Sequence, residues 1–161
     1  MDTPALRLAP ARLTDADTQV LVADVQAEYI LLYGEPDSTP LEPGLFDPPR
    51  GAFFLAYAGD TAVAMGGWRM RSDVHPWGLS CPAEVKRMYV APPVRRRGYA
   101  RAVLAHLEET ARAAGADVMV LETGTEQPEA IAMYVAAGYL PVPSFGHYSW
   151  SPKSRCFGKP L

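Results

Sequence analysis

Cysteine is scarce in this sequence: Cys81 and Cys156 are the only two among 161 residues. Two isolated thiols make neither a metal-ligand motif nor a disulfide framework, and reduced cysteines are expected. No apolar run approaches the length of a membrane span, so no membrane association is expected. The opening Met1-Asp2-Thr3-Pro4 has no basic segment followed by an apolar one, so no export signal is expected and the reading is cytoplasmic. Excess positive charge is lacking too. Lys and Arg number 15 against 18 Asp and Glu, a formal net charge of -3, which argues against a general nucleic-acid binder. His75, His106 and His147 share no spacing that would hold a metal, and no metal is expected. Repeats and low-complexity tracts are also missing. What is present is an ordinary globular composition, 48% hydrophobic and 20% charged, expected to form one domain over residues 1–161.

Read in order, residues 5–8 alternate between two prolines and predict a short strand. Thr14 and Asp17 resemble a helix-capping start. Leu21, Val22, Val25, Tyr29 and Leu32 then recur at helical spacing and carry a first helix to about Tyr33. Five prolines between 34 and 51 preclude a regular helix there. A loop of that length reads as an active-site lid or substrate wall, docked by Leu41, Leu45 and Phe46. Residues 53–57 and 62–69 predict an antiparallel hairpin turning at Gly59-Asp60, with Gly66-Gly67 as a bulge or close approach.

Residues 84–90 predict the next strand. Val103, Leu104, Leu107, Ala111 and Ala114 form one helical stripe ended by Gly115, with Glu108 and Arg112 as a surface pair. The β-forming run 118–123 should lie parallel to 84–90 through a right-handed crossover. Pro128 opens a third helix, with Gln127 as its cap, an apolar face of Ile131, Tyr134 and Val135, and Gly138 at its end. Residues 139–141 and 156–161 complete the pattern β-α-β-β-β-α-β-α-β-β. The expected fold class is α/β: a mixed, mostly antiparallel sheet of about seven strands flanked by helices, with one parallel β-α-β unit.

The basic residues that exist are concentrated. Met88-Tyr89-Val90 runs through a Pro-rich turn into Arg95-Arg96-Arg97-Gly98-Tyr99-Ala100 and a helix. Cations at a helix start are electrostatically odd, because that end already carries partial positive charge and unpaired N–H groups. An anion held among them resolves the conflict, and a phosphate or pyrophosphate fits best. The loop lacks the Lys-Ser/Thr of a P-loop and the spaced glycines of a dinucleotide fold.

Arg95-Arg96-Arg97-Gly98-Tyr99-Ala100 matches the (Arg/Gln)-x-x-Gly-x-(Gly/Ala) loop of the GNAT family of N-acetyltransferases. Downstream, Ala130-Ile131-Ala132-Met133-Tyr134 and Gly138-Tyr139 look like that family's Ala-Ile-x-Leu-Tyr…Gly-Phe segment. The closing residues 154–161 are similar to the last strand of many small bacterial members. The resemblance covers nearly the whole chain. It departs at Gln127, where members commonly carry Asn to hold the pantetheine arm.

The resemblance implies the GNAT fold, acetyl-CoA as cosubstrate, and direct acetyl transfer to the primary amine of a small acceptor. Arg95, Arg96, Arg97, Gly98, Tyr99 and Ala100 would hold the pyrophosphate. Backbone at Met88, Tyr89 and Val90 would hold the pantetheine and polarise the thioester, with Gln127 assisting. Lys86 and Arg87 would flank the cofactor electrostatically. Tyr134 is the implied general acid and Glu84 the first candidate for the base, with Glu122 second. Glu28, Tyr29, Tyr33 and Glu122 are candidates for the amine site. A noncatalytic acyl-CoA-binding or sensor domain on the same fold is the alternative. A homodimer is an expected assembly, since dimers are common among similar proteins. The acceptor itself, whether small amine, amino acid, antibiotic or protein N-terminus, and the choice of acetyl over a slightly larger acyl group stay open.

Overall fold

Among the described residues, seven strands and three α-helices follow one another in the expected order: β1 Leu6–Pro10, α1 Ala16–Tyr33, β2 Gly51–Ala58, β3 Thr61–Met70, β4 Pro82–Val90, α2 Tyr99–Ala113, β5 Val118–Gly124, α3 Pro128–Ala136, β6 Leu140–Pro141 and β7 Ser154–Pro160. The computed structural model describes residues 5–161; Met1–Pro4, read above for the lack of an export signal, lie outside them. One sheet runs in the order β1-β2-β3-β4-β5-β7-β6. Every neighbouring pair is antiparallel except β4 and β5. This is the mixed α/β sheet that the sequence predicts.

Side-chain alternation along β2 divides the core between the two faces of the sheet. Phe53 and Leu55 join Leu21 and Val25 of α1 and Met65 of β3 on one face. Phe54 and Ala56 join Val103, Leu104, Leu107 and Ala111 of α2 on the other. The Pro-rich segment contributes a single 3₁₀ turn, Pro43–Phe46, whose Phe46 is buried among the α1-side residues with Leu41 and Leu45 packed beside it. Burying one such side chain contributes about 1.5–3 kcal/mol, enough to fix the loop to the sheet.

Gly66 and Gly67 serve both roles expected of them. The β3–β4 register shifts there, from Met65 opposite Tyr89 to Gly67 opposite Lys86, so that Gly66 faces both Arg87 and Met88. Arg87 takes the left-handed φ of 57° that the bulge requires. A Cβ on Gly66 would stand 3.0 Å from Val103 of α2, which explains how closely that helix packs.

Gln127 occupies the N-cap of α3 as expected, although its side chain makes no capping bond. Three local expectations need correction. Asp15, not Thr14, stands at the start of α1, and its carboxylate accepts from the Arg12 amide rather than from the helix. Val135 is exposed, so the inner face of α3 rests on Ile131, Met133 and Tyr134. Glu108 turns inward instead of pairing with Arg112: it accepts from the buried Tyr139 hydroxyl at 2.9 Å and from Lys159 Nζ at 2.9 Å.

One break in the sheet governs everything below. β4 and β5 pair only at Pro82–Val118, Ala83–Met119 and Glu84–Val120. Beyond that point the two parallel strands part, and the β5-facing backbone edge of residues 85–90 is left without a strand partner.

Candidate active site

Where β4 and β5 separate, two cavities open. The first is a groove of about 520 Å³ whose wall includes Met88, Tyr89 and Val90 of β4, the loop into α2, and Gln127, Met133 and Tyr134 at α3. Its floor at α2 is built from backbone. Gly98 adopts φ +80°, a conformation unfavourable for other residues, and a Cβ there would meet nothing within 4 Å. No amide of residues 96–101 enters a backbone hydrogen bond among the described residues; Ala102 is the first to bond back, to the Gly98 carbonyl at 3.0 Å. Six successive free N–H groups at a helix start make a strong anion cradle. The buried Tyr99 hydroxyl beside them also has no partner.

The three arginines do different things. Arg95 is committed: its guanidinium donates to the Val90 carbonyl at 2.8 Å and to Glu28 of α1 at 2.8 Å, and lies over the Tyr89 ring. Arg96 is exposed on the groove wall, 3.5 Å from Glu129. Arg97 is exposed and stands outside the wall. Arg95 therefore braces α1 against β4, while the loop amides and Arg96 remain available to an anion.

The second cavity, about 330 Å³, lies on the other side of the opening. Tyr29, Tyr33, Tyr148 and Trp150 give it aromatic walls, and Lys86, Glu122, Asp37 and Lys153 give it charge. Its roof is tied shut by side chains. Tyr148 donates its hydroxyl to Asp37 at 3.1 Å and accepts the Ser38 amide at 2.7 Å, and Arg87 bonds Asp37 at 3.1 Å. Burial works to raise the Asp37 carboxyl, but Thr39 donors and Arg87 outweigh it and hold the group below its ordinary range.

The sequence candidates divide between these spaces. Met88, Tyr89, Val90, Arg95, Arg96, Gly98, Tyr99, Ala100, Gln127, Tyr134 and also Glu28 line the groove. Tyr29, Tyr33 and Glu122 line the cavity, and Gln127 belongs to both. Gln127 accepts from the Tyr33 hydroxyl at 3.2 Å. Lys86 lines the cavity rather than flanking the groove, and Arg87 is occupied with Asp37.

Tyr134 lines the groove but not the cavity. Its ring packs edge-on against Tyr139 with centroids 5.7 Å apart. Burial, with the Tyr29 hydroxyl nearby, pushes its pKa well above the ordinary tyrosine value, so its proton is held firmly. Tyr29 is itself pushed up to about 12, chiefly by burial and then by Asp37.

The two candidate carboxylates differ in access. Glu84 is fully buried; its carboxylate lies 2.9 Å from Arg69, 3.3 Å from Arg71 and 3.6 Å from Lys86. Neither cavity wall includes it. Glu122 faces the cavity, accepting from Ser154 at 2.9 Å. Burial raises its pKa, against the opposing pull of Ser154 and Lys86.

Sequence reasoning named segment 34–51 as a lid or substrate wall without singling out Asp37 in it, and it missed Tyr148, Trp150 and Lys153. These last three come from a loop without periodicity, and only the density of aromatic and charged residues in 147–153 could have drawn attention to them. Among the described residues no cluster of three His, Cys, Asp or Glu is placed to hold a metal, and no helix is long and apolar enough to cross a membrane.

Comparison with known proteins accords with this geometry. The family model described as "Acetyltransferase (GNAT) family" matches residues 19–139. An IAA acetyltransferase of Azospirillum brasilense is 42% identical over 78 residues, a match that covers 48% of this chain and only 51% of that protein. The uncharacterized N-acetyltransferase YedL of Escherichia coli is 27% identical over 89% of this chain and 87% of its own. A candidate acyl-CoA N-acyltransferase of Klebsiella pneumoniae, solved by crystallography, superposes with a TM-score of 0.78 at 27% identity, covering 97% of each chain. An acetyltransferase from Thermus thermophilus, at 21% identity and TM-score 0.68, shares the fold over both full lengths. The chain belongs to the GNAT acetyltransferase family and is, by family and fold, an N-acetyltransferase.

Proposed function

We propose that the protein transfers an acetyl group directly from acetyl-CoA to the primary amine of a small acceptor. The observation that carries this reading is the groove and cavity at the opening between β4 and β5, with Gln127 in both walls and Tyr134 on the groove side. A reaction between two bound molecules needs them to meet at one protected point, and orientation there supplies a large part of the rate enhancement.

The groove fits coenzyme A by its donor set. Free amides of residues 96–101 and the Arg96 guanidinium suit a pyrophosphate, and Gly98 keeps the approach open. The edge of β4 at Met88, Tyr89 and Val90, which has no strand partner on the β5 side, suits the amide-bearing pantetheine arm, as an added strand would. Gln127, already bonded to Tyr33, is placed to hold the same arm. When bound, acetyl-CoA supplies the activated thioester.

The chain's residues then move two protons. Glu122 takes one from the acceptor ammonium, making the nitrogen nucleophilic; the pKa raised by burial suits it to that task nearer neutrality. As the C–N bond forms and the C–S bond breaks, Tyr134 gives its proton to the departing sulfur; the acylated nitrogen sheds its second proton, which restores the Tyr134 hydroxyl, and Glu122 releases the first to solvent. Burial holds the proton on the Tyr134 hydroxyl, so that residue enters the reaction in its acid form. Geometry favours Glu122 over Glu84 as the base, because Glu84 is enclosed by three cations; Glu84 instead fixes Lys86 at the cavity wall.

Coenzyme A release from acetyl-CoA, followed across a panel of primary amines with purified protein, tests the reading. Acceptor-dependent release is expected for at least one small amine. Tight acetyl-CoA binding without release for any amine would overturn it.

A further inference from the structure

The cavity carries an asymmetry of charge that a simple amine would not use. Behind its wall, Arg69, Arg71 and Lys86 gather around Glu84, and Arg71 also bonds Asp73 at 2.6 Å. Three cations against two carboxylates leave one surplus positive charge. Asp73 is largely exposed, so water screens its contribution. Only Lys86 among the three cations reaches the cavity. Its side chain is 13% exposed, and its Nζ sits 3.6 Å from a Glu84 oxygen that forms no hydrogen bond. That distance leaves the ammonium donors available for an anion on the cavity side.

Lys86 does not stand alone. β4 and β5 pair in register up to Glu84 and Val120. Continuing that register two residues places Lys86 across the opening from Glu122, with no ion pair formed between them. One wall therefore offers a cation and the facing wall a carboxylate. Asp37 also attracts Lys86, but its oxygens already accept from Arg87, Thr39 and Tyr148. Glu35 is exposed at the edge, and Lys153 there is paired with Glu126 at 3.7 Å. The remaining lining is aromatic: Tyr29, Tyr33, Tyr148 and Trp150.

We propose that the acceptor is an aromatic α-amino acid, its amine at Glu122, its carboxylate at Lys86 and its ring among the four aromatic side chains. An α-amino acid carries its two charges on one carbon, which matches a cation and a carboxylate on facing walls of one cavity. Lys86 is thus a specificity-determining residue, held in place by Glu84. This inference rests on the cavity being the acceptor site, and its test separates the two.

Calorimetric titration of the coenzyme A-loaded protein compares L-phenylalanine with phenethylamine, which lacks only the carboxylate. The acid should bind at least tenfold tighter, and kcat/KM from coenzyme A release should follow the same order, because a site built around a charged partner discriminates strongly against its absence. Lys86→Met should bring the binding ratio to within about twofold, whereas Lys86→Arg, which restores the charge, should keep most of it. Phenethylamine binding as tightly as the acid in the unmodified protein overturns the inference, and that comparison needs no variant to fold. A ratio surviving in a folded Lys86→Met protein overturns it as well. If no amine releases coenzyme A, the acyltransferase reading fails while the binding ratio still decides this one.

Discussion

The groove and the cavity flank the same opening but are made differently. The groove is contiguous in sequence: strand, turn, loop and helix N-terminus within residues 88–101, closed by α3. Its chemistry is largely backbone chemistry, free amides and a strand edge with no strand partner on the β5 side. The cavity is assembled from side chains far apart in the chain, Tyr29, Asp37, Lys86, Glu122 and Tyr148 among them, and its roof hangs on side-chain hydrogen bonds. A backbone site can be shared across a family with little demand on side-chain identity. A side-chain site can change its ligand by substitution without disturbing the fold. On the proposed function, the half of the reaction common to the family falls to the groove and the selective half to the cavity.

The sharpest way to break that division is at Gly98. Gly98→Asp would hold a non-glycine residue at φ +80° and put a carboxylate where an anion is expected. Acetyl-CoA affinity should fall below detection in calorimetry. The melting temperature should drop by only a few degrees, since a left-handed non-glycine residue costs about 1–2 kcal/mol and a Cβ there meets nothing. Retained affinity would mean that the groove is not the cofactor's.

Tyr134→Phe tests the proposed acid. The ring contact with Tyr139 survives, so the fold and acetyl-CoA affinity should hold while turnover falls roughly ten- to thousandfold. An unchanged rate under conditions where chemistry limits would remove Tyr134 from the acid role.

Glu122 and Glu84 sharpen the contrast within the cavity. Glu122 must be ionised to accept a proton, and burial raises its pKa. Activity should therefore climb with pH through a point above the ordinary carboxylate value, and acid should silence the enzyme. Glu122→Gln should lower kcat/KM by about a hundredfold and abolish that limb of the pH profile. If Glu84→Gln removed the limb instead, the assignments would be reversed.

The smallest expected effect lies outside both regions. Glu108→Gln leaves the Tyr139 hydroxyl and Lys159 with a weaker acceptor in a buried setting. A stability loss of about 1–3 kcal/mol is expected, visible as a lowered melting temperature, with turnover per folded molecule retained.

This contrast also explains what could be read from the sequence. The groove was legible because its signals are local: a strand pattern, a proline turn, clustered arginines, one glycine and a helical stripe all fall within a few turns of chain. The parallel crossover from 84–90 to 118–123 followed from the same local order. The cavity was legible only at its edges. Tyr29, Tyr33 and Glu122 were named, but Asp37, Tyr148 and Lys153 depend on two irregular loops meeting, and nothing in their spacing encodes that meeting. Glu84 was the first candidate for the base through the family resemblance; its enclosure by Arg69 and Arg71 is a tertiary fact. Glu108 shows the same limit, because Arg112 four residues on suggested a surface pair while Tyr139 and Lys159 drew it inward.

Amide hydrogen exchange with and without acetyl-CoA tests the central assignment most directly. The cosubstrate should strongly slow exchange at the free amides of residues 96–101 and along residues 88–90, while leaving segment 145–154 nearly unchanged until an acceptor is added. Protection concentrated in 145–154 with none at 96–101 would contradict the account.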